Sequence, residues 1–150
     1  GAIHFNDTAG SMARDSVTNA SSVVRMITGK NLSDYDVHVN VVGGGNIDGP
    51  SAGAAITCAI ISALTGKPLR QDIAVTGEIS LSGRIKPVGG IAEKAFGAHQ
   101  GGMKAILIPK QNALDMGSEY MHMKVIPVDT IQDILEHMLA RKKQKMKGSK

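Results

Sequence analysis

Tryptophan is absent from this 150-residue chain, and tyrosine and phenylalanine occur twice each, so aromatic residues make up only 3% of it. A core without large rings must be filled by Val, Ile, Leu, Ala and Met, and the eight methionines read mostly as packing residues. Cysteine occurs once, at Cys58, which excludes an intrachain disulfide framework and fits a reducing compartment. No apolar run is long enough for a membrane-spanning helix. The start Gly1-Ala2-Ile3-His4-Phe5 has neither a basic segment nor a long apolar one, so it does not read as a signal peptide. It also lacks an initiating Met, which suggests a fragment or a processed product. No GxxxxGK[ST] run occurs, which removes nucleotide binding by a P-loop. The five histidines (His4, His38, His99, His122, His137) show no HExxH or CxxC-type spacing, so no zinc site is expected.

What is present fits one globular domain with a sizeable core, at 42% hydrophobic and 20% charged residues. Glycine is abundant, with 18 residues gathered at Gly43–Gly45, Gly89–Gly90 and Gly101–Gly102, where turns or close backbone approach are expected. The net charge of +4 is unevenly spread. Six of the 17 Lys and Arg lie between Arg141 and Lys150, where there is no acid, so the first 140 residues carry 11 bases against 13 acids, a net of −2. The slightly acidic body argues against a nucleic-acid partner, and the tail reads as a solvated, disordered end.

Hydrophobic periodicity predicts a helix over 12–28, with Met12, Ser16, Ala20, Val23, Val24 and Ile27 on one face and Gly29 at its end. Residues 36–42 alternate as a strand, a Gly-rich loop follows to Pro50, and an uncharged apolar helix runs over 51–65 and stops at Gly66. Short strands with tight turns fill 71–87. A helix follows over 90–100, then a strand over 105–108 buried on both faces, a short helix over 111–116, a strand over 124–128 and a helix over 130–140. Strands alternating with helices predict a layered α/β or α+β fold.

Two residues stand out chemically. Ser51 lies in Asp48-Gly49-Pro50-Ser51-Ala52-Gly53 at the head of the apolar helix. First-turn N–H groups and the positive end of the dipole there can receive an oxyanion. The competing assignment is a helix N-cap, the commonest role of a Ser in that place. Lys94 lies in Pro87-Val88-Gly89-Gly90-Ile91-Ala92-Glu93-Lys94, about one turn into the next helix. With Ala92, Ala95 and Phe96 around it, burial and the dipole both favour a neutral amine, which could take a serine proton. The competing assignment is a solvent-facing lysine, free or paired with Glu93. Thr76 could hold the amine through its hydroxyl or could simply be a strand residue. A Ser-His-Asp triad through His38 with Asp36 or Asp48 stays open, and Cys58 reads as a buried inert thiol.

In Asp48–Gly53, Thr76-Gly77-Glu78-Ile79 and Pro87–Lys94, the chain resembles the proteolytic domain of the Lon protease family. Three motifs in order with matching gaps make a specific likeness, running from about Thr8 to Ala140. Residues 98–109 resemble that family's helix-to-strand passage. The resemblance implies the Lon protease-like α+β fold of the ribosomal protein S5 domain 2-like type over residues 1–140, shortened at its N-terminus. It also implies an ATP-dependent serine endopeptidase with a Ser-Lys dyad. Ser51 would be the nucleophile, Lys94 the general base and Thr76 the residue that orients Lys94, with Asp48, Gly49 and Pro50 forming the nucleophile loop. The expected partners are unfolded or regulatory protein substrates and further copies in a homo-hexamer, with no membrane, in the cytoplasm. No cofactor is expected in this chain, because ATP and Mg²⁺ would serve an AAA+ module that the sequence does not contain. Asn40 stands where the family often has a second histidine after the one matched by His38. The Gly43–Gly45 loop and Thr8–Met12 lean toward the bacterial B-like branch. Two rivals remain at this point: a non-catalytic binding or oligomerisation module of the same fold, and a Ser-Lys amidase or esterase on small substrates.

Overall fold

The computed structural model describes residues 1–6, 10–42, 49–114 and 116–139. The tail at 141–150, the glycine loop at 43–45 and Asp48 lie outside the described residues, as does Thr8. The element order is β1 (Ile3–Phe5), α1 (Ser11–Thr28), β2 (Val37–Val39), α2 (Gly53–Thr65), β3 (Ile73–Val75), β4 (Glu78–Ile79), β5 (Ile85–Lys86), α3 (Ile91–Gln100), β6 (Ala105–Pro109), α4 (Lys110–Ala113), β7 (Glu119–Tyr120), β8 (Met123–Val128) and α5 (Ile131–Met138). Single turns of 3₁₀ helix occupy Leu32–Asp34 and Pro50–Ala52. This mixture of helices and strands bears out the α+β expectation.

A four-stranded sheet in the order β3-β6-β8-β7 forms the centre, with β3, β6 and β8 parallel and β7 antiparallel at one edge. One of its two inner strands, β6, is buried at all five positions. Alternate side chains of a strand leave opposite faces, so an unbroken apolar run needs cover on both sides. Ala105 and Leu107 enter a core shared with α1, α2 and α5, whereas Ile106 and Ile108 enter a second core with Ala95 of α3. Thus α2 lies over one face of the sheet and α3 over the other.

The helices follow their sequence signals. In α1, Val17, Ala20, Val23 and Val24 are wholly buried, the spacing of one helical face. Each such valine is worth about 1.5–3 kcal/mol of transfer from water. Gly29 ends the helix at φ 73°, donating its N–H to the Arg25 carbonyl at 2.8 Å. In α5, Thr130 and Asp133 cap each other's backbone N–H groups at 3.3 and 3.1 Å.

The differences from expectation have local causes. The strand predicted over 36–42 ends at Val39 because the Asn6 carboxamide takes over pairing, bonding both the N–H and the carbonyl of Val41 at 3.2 and 3.0 Å. The helix predicted to 140 ends at Met138, where Arg70 captures the Met138 carbonyl and Leu139 bridges to Leu69. β1 pairs in parallel with β2 and was not visible in the sequence pattern, and neither was the two-residue β7. Among the described residues, no helix is long and apolar enough to cross a membrane.

Candidate active site

Ser51 sits on the 3₁₀ turn Pro50–Ala52 that leads directly into α2. Gly49 enters this turn at φ 136° and ψ 157°, a conformation open only to glycine, and Pro50 sets the next φ. The helix predicted from 51 starts at Gly53 because the Ser51 carbonyl turns outward and accepts the Gly77 N–H at 3.0 Å. Ala54 answers by donating its N–H to the Gly77 carbonyl at 3.0 Å. The Ser51 turn is therefore clipped, backbone to backbone, to the end of β3.

The hydroxyl of half-buried Ser51 has no hydrogen bond to any described residue, and the head of α2 has no side-chain cap. The N-cap assignment is therefore not realised here. Thr76 is buried, and its hydroxyl lies 3.5 Å from the Ser51 carbonyl, not on Lys94. At that length the contact adds little. Thr76 supports the Ser51 turn chiefly through its backbone, whose N–H donates to the Leu107 carbonyl at 3.1 Å.

Gly77 permits the clip. A Cβ there would lie 2.5 Å from Cγ2 of Ile85. Gly77→Ala is expected to cost about 1–3 kcal/mol through overpacking. That corresponds to a melting temperature lower by about 2–10 °C in a calorimetric scan. An unchanged melting temperature would mean that Ile85 yields freely.

Lys94 occupies the first turn of α3, its N–H donating to the Gly90 carbonyl at 3.0 Å. The side chain is half-buried and makes no ion pair or hydrogen bond with a described residue, Glu93 included. Burial pushes its pKa below the ordinary lysine value. The expected source of that burial needs correction: Ala92 and Phe96 are exposed, and only Ala95 points into the core.

Ser51 and Lys94 come from helices on opposite faces of the sheet, yet both helices begin at the same edge. The Ser51 turn is bound just past the carboxyl end of β3, at Thr76 and Gly77. The approach to α3 is bound just past the carboxyl end of β6, because Asn112 bonds both backbone groups of Val88 at 2.9 Å. β3 and β6 are neighbours in the sheet. In open sheets with helices on both faces, the crevice beyond the carboxyl strand ends is the usual reaction site. The structure brings Ser51 and Thr76 into contact and sets Lys94 at the same edge without a hydrogen bond to Ser51. Asn112 escaped the sequence reading because nothing local marks an asparagine whose partner is 24 residues away.

His38 stacks on His4 with ring centroids 4.6 Å apart, and Asp36 accepts the Ala2 N–H, so among the described residues no hydrogen bond joins His38 to Asp36, and Asp48 lies outside them. Burial pushes the Cys58 thiol up to about 12, which leaves it unreactive at neutral pH.

Comparison with known proteins decides the family. The family model described as the Lon protease (S16) C-terminal proteolytic domain matches residues 1–141. The chain belongs to the Lon proteolytic-domain family. It is 40% identical to the archaeal Lon protease of Archaeoglobus fulgidus over 138 residues, which cover 89% of this chain and 22% of that protein. Lon protease 2 of Bacillus subtilis is 43% identical over 129 residues, 86% of this chain and 23% of the relative. The Lon protease of Haemophilus influenzae is 40% identical over 146 residues, 90% and 18%. The chain thus spans about a fifth of the length of the curated relatives it matches. An archaeal and two bacterial Lon proteases match at similar identity, so the likeness favours no branch.

Proposed function

We propose that this Lon-family peptidase domain cleaves peptide bonds through a Ser51-Lys94 dyad. One observation carries the reading: an uncapped, unbonded serine hydroxyl and a partly desolvated, unpaired lysine stand at the same strand-end edge. Neutral Lys94 Nζ takes the proton of Ser51 Oγ as Oγ bonds to the substrate carbonyl carbon. Collapse of the tetrahedral intermediate breaks the C–N bond, and the Lys94 ammonium gives its proton to the leaving amine. Water then attacks the ester, passes a proton to Lys94, and Oγ leaves as it regains a proton from that amine.

The oxyanion cannot use the N–H of Gly53 or Ala54, which are bound to the carbonyls of Pro50 and Gly77. It falls to other donors at this turn, the N–H of Ser51 among them. In other hydrolases each such donor is worth about 2.7–4 kcal/mol. Gly49 and Pro50 shape this turn, Asp48 belongs to the same loop, and Thr76 orients Lys94 when the dyad closes.

The Lon protease-like fold of the ribosomal protein S5 domain 2-like type is part of this proposal. So is a cytoplasmic homo-hexamer that degrades unfolded or regulatory proteins and is powered by ATP and Mg²⁺ in an AAA+ module outside this chain. The domain itself takes no cofactor, and residues 141–150 act as a basic tail.

A fluorophosphonate or peptide boronate is expected to modify Ser51 and no other residue, as read by peptide mass spectrometry. The unmodified preparation is expected to degrade casein, and the modified one to have lost that activity. Modification elsewhere would overturn the assignment of the nucleophile, and hydrolysis of small amides alone would point to an amidase.

A further inference from the structure

We propose that Asn112 is the positioning residue for Lys94 and acts through the backbone of Val88. The inference rests on the reading of Lys94 as general base. Asn112 stands in α4, which follows β6 without a break, and β6 is a fully buried inner strand of the sheet. Its carboxamide spends both ends on one residue: Nδ2 donates to the Val88 carbonyl and Oδ1 accepts the Val88 N–H, each at 2.9 Å. Gly89 and Gly90 follow, and Gly90 takes the left-handed conformation at φ 67°. The Gly90 carbonyl then accepts the Lys94 N–H at 3.0 Å, the bond that opens α3. Rigidity passes along this path from β6 to Asn112, Val88, Gly90 and Lys94.

Little else holds the path. Pro87 has no N–H, and a Cβ at Gly89 would meet nothing within 4 Å. Two adjacent glycines are the most conformationally free pair a chain can carry. Among the described residues, Asn112 supplies the hydrogen bonds that tie 87–90 to the rest of the fold. Ser51 is anchored separately, through Gly77 at the end of β3. Loosening Asn112 therefore displaces the base and leaves the nucleophile in place.

The test uses the natural-length polypeptide with casein or a fluorogenic peptide as substrate, and three variants. Asn112→Ala removes both bonds. Asn112→Asp keeps the shape but sets a carboxylate oxygen, an acceptor, against the Val88 carbonyl, which breaks that half of the latch and tests it even where the Ala variant folds poorly. Lys94→Ala is the control for the dyad. Both Asn112 variants are expected to lower kcat about 10- to 100-fold, the penalty of a misplacement near 1 Å, with KM within about twofold of wild type. The rising limb of the pH–rate profile should also move to higher pH as the loosened amine regains water. A kcat within about twofold of wild type in Asn112→Asp, or a lowered kcat with an unmoved pH limb, would overturn the positioning role while the dyad stands. Cleavage retained by Lys94→Ala would instead overturn the dyad itself.

Discussion

Ser51→Ala is expected to abolish peptide cleavage and covalent labelling while the domain unfolds at nearly the wild-type temperature. In another serine protease, loss of the nucleophile costs about 2 × 10⁶ in kcat, and an effect of that order is expected here. The stability half of the prediction is the sharper one. The turn is held by the backbone carbonyl of Ser51, which alanine keeps, and the hydroxyl bonds no described residue. A serine acting as N-cap would cost about 0.5–2 kcal/mol on replacement. The two roles therefore predict opposite results in one pair of measurements. A nucleophile gives dead enzyme with an unchanged denaturant midpoint, and a cap gives a lower midpoint with activity to match. A double Ser51→Ala, Lys94→Ala variant should be no worse than either single one, because the two groups act as a unit. Full cleavage by Ser51→Ala would end the proposal.

The second large effect belongs to Lys94 and carries a pH signature. Lys94→Met keeps much of the apolar stem and removes the amine, and kcat should fall to the level of Ser51→Ala. In the wild type, acylation needs the neutral amine, so the rate rises with pH through the Lys94 pKa. Burial lowers that pKa, so the rise comes earlier than the ordinary lysine value of about 10.4 would allow. Lys94→Arg stays protonated throughout and should show no rise. Stability has the same sign. Between the lowered native pKa and the ordinary unfolded one, the unfolded chain holds more protons, so stability increases as pH rises through that window. Lys94→Met should lose this dependence in urea titrations across the alkaline range. A rate profile that is flat where the wild type should rise would remove Lys94 as the base.

Both predictions depend on how the fold treats residues that the sequence had already marked. The helix over 12–28, the doubly buried strand at 105–108 and the end of α2 at Gly66 are written in local periodicity and glycine chemistry, and the structure agrees within a residue or two. The Ser51 and Lys94 motifs were legible for the same reason. Each is a short run in which glycine, proline and a reactive side chain must be adjacent in the chain.

Long-range pairing was not legible. β1 finds β2 across 34 positions, Asn112 finds Val88 across 24, and Gly77 clips Ser51 from beyond a whole helix. A hydrogen bond between distant residues leaves no period in the sequence. Of the three neighbours expected to bury Lys94, Ala92 and Phe96 are exposed and only Ala95 is buried.

The sequence by itself determined most of the helices, the buried strand at 105–108 and the two motifs that hold Ser51 and Lys94, because backbone propensity, side-chain period and motif composition are local properties. Only the tertiary structure decided that α2 and α3 cover opposite faces of one sheet and start from its common edge. That depends on which apolar faces can be buried together, a condition set by the whole chain at once.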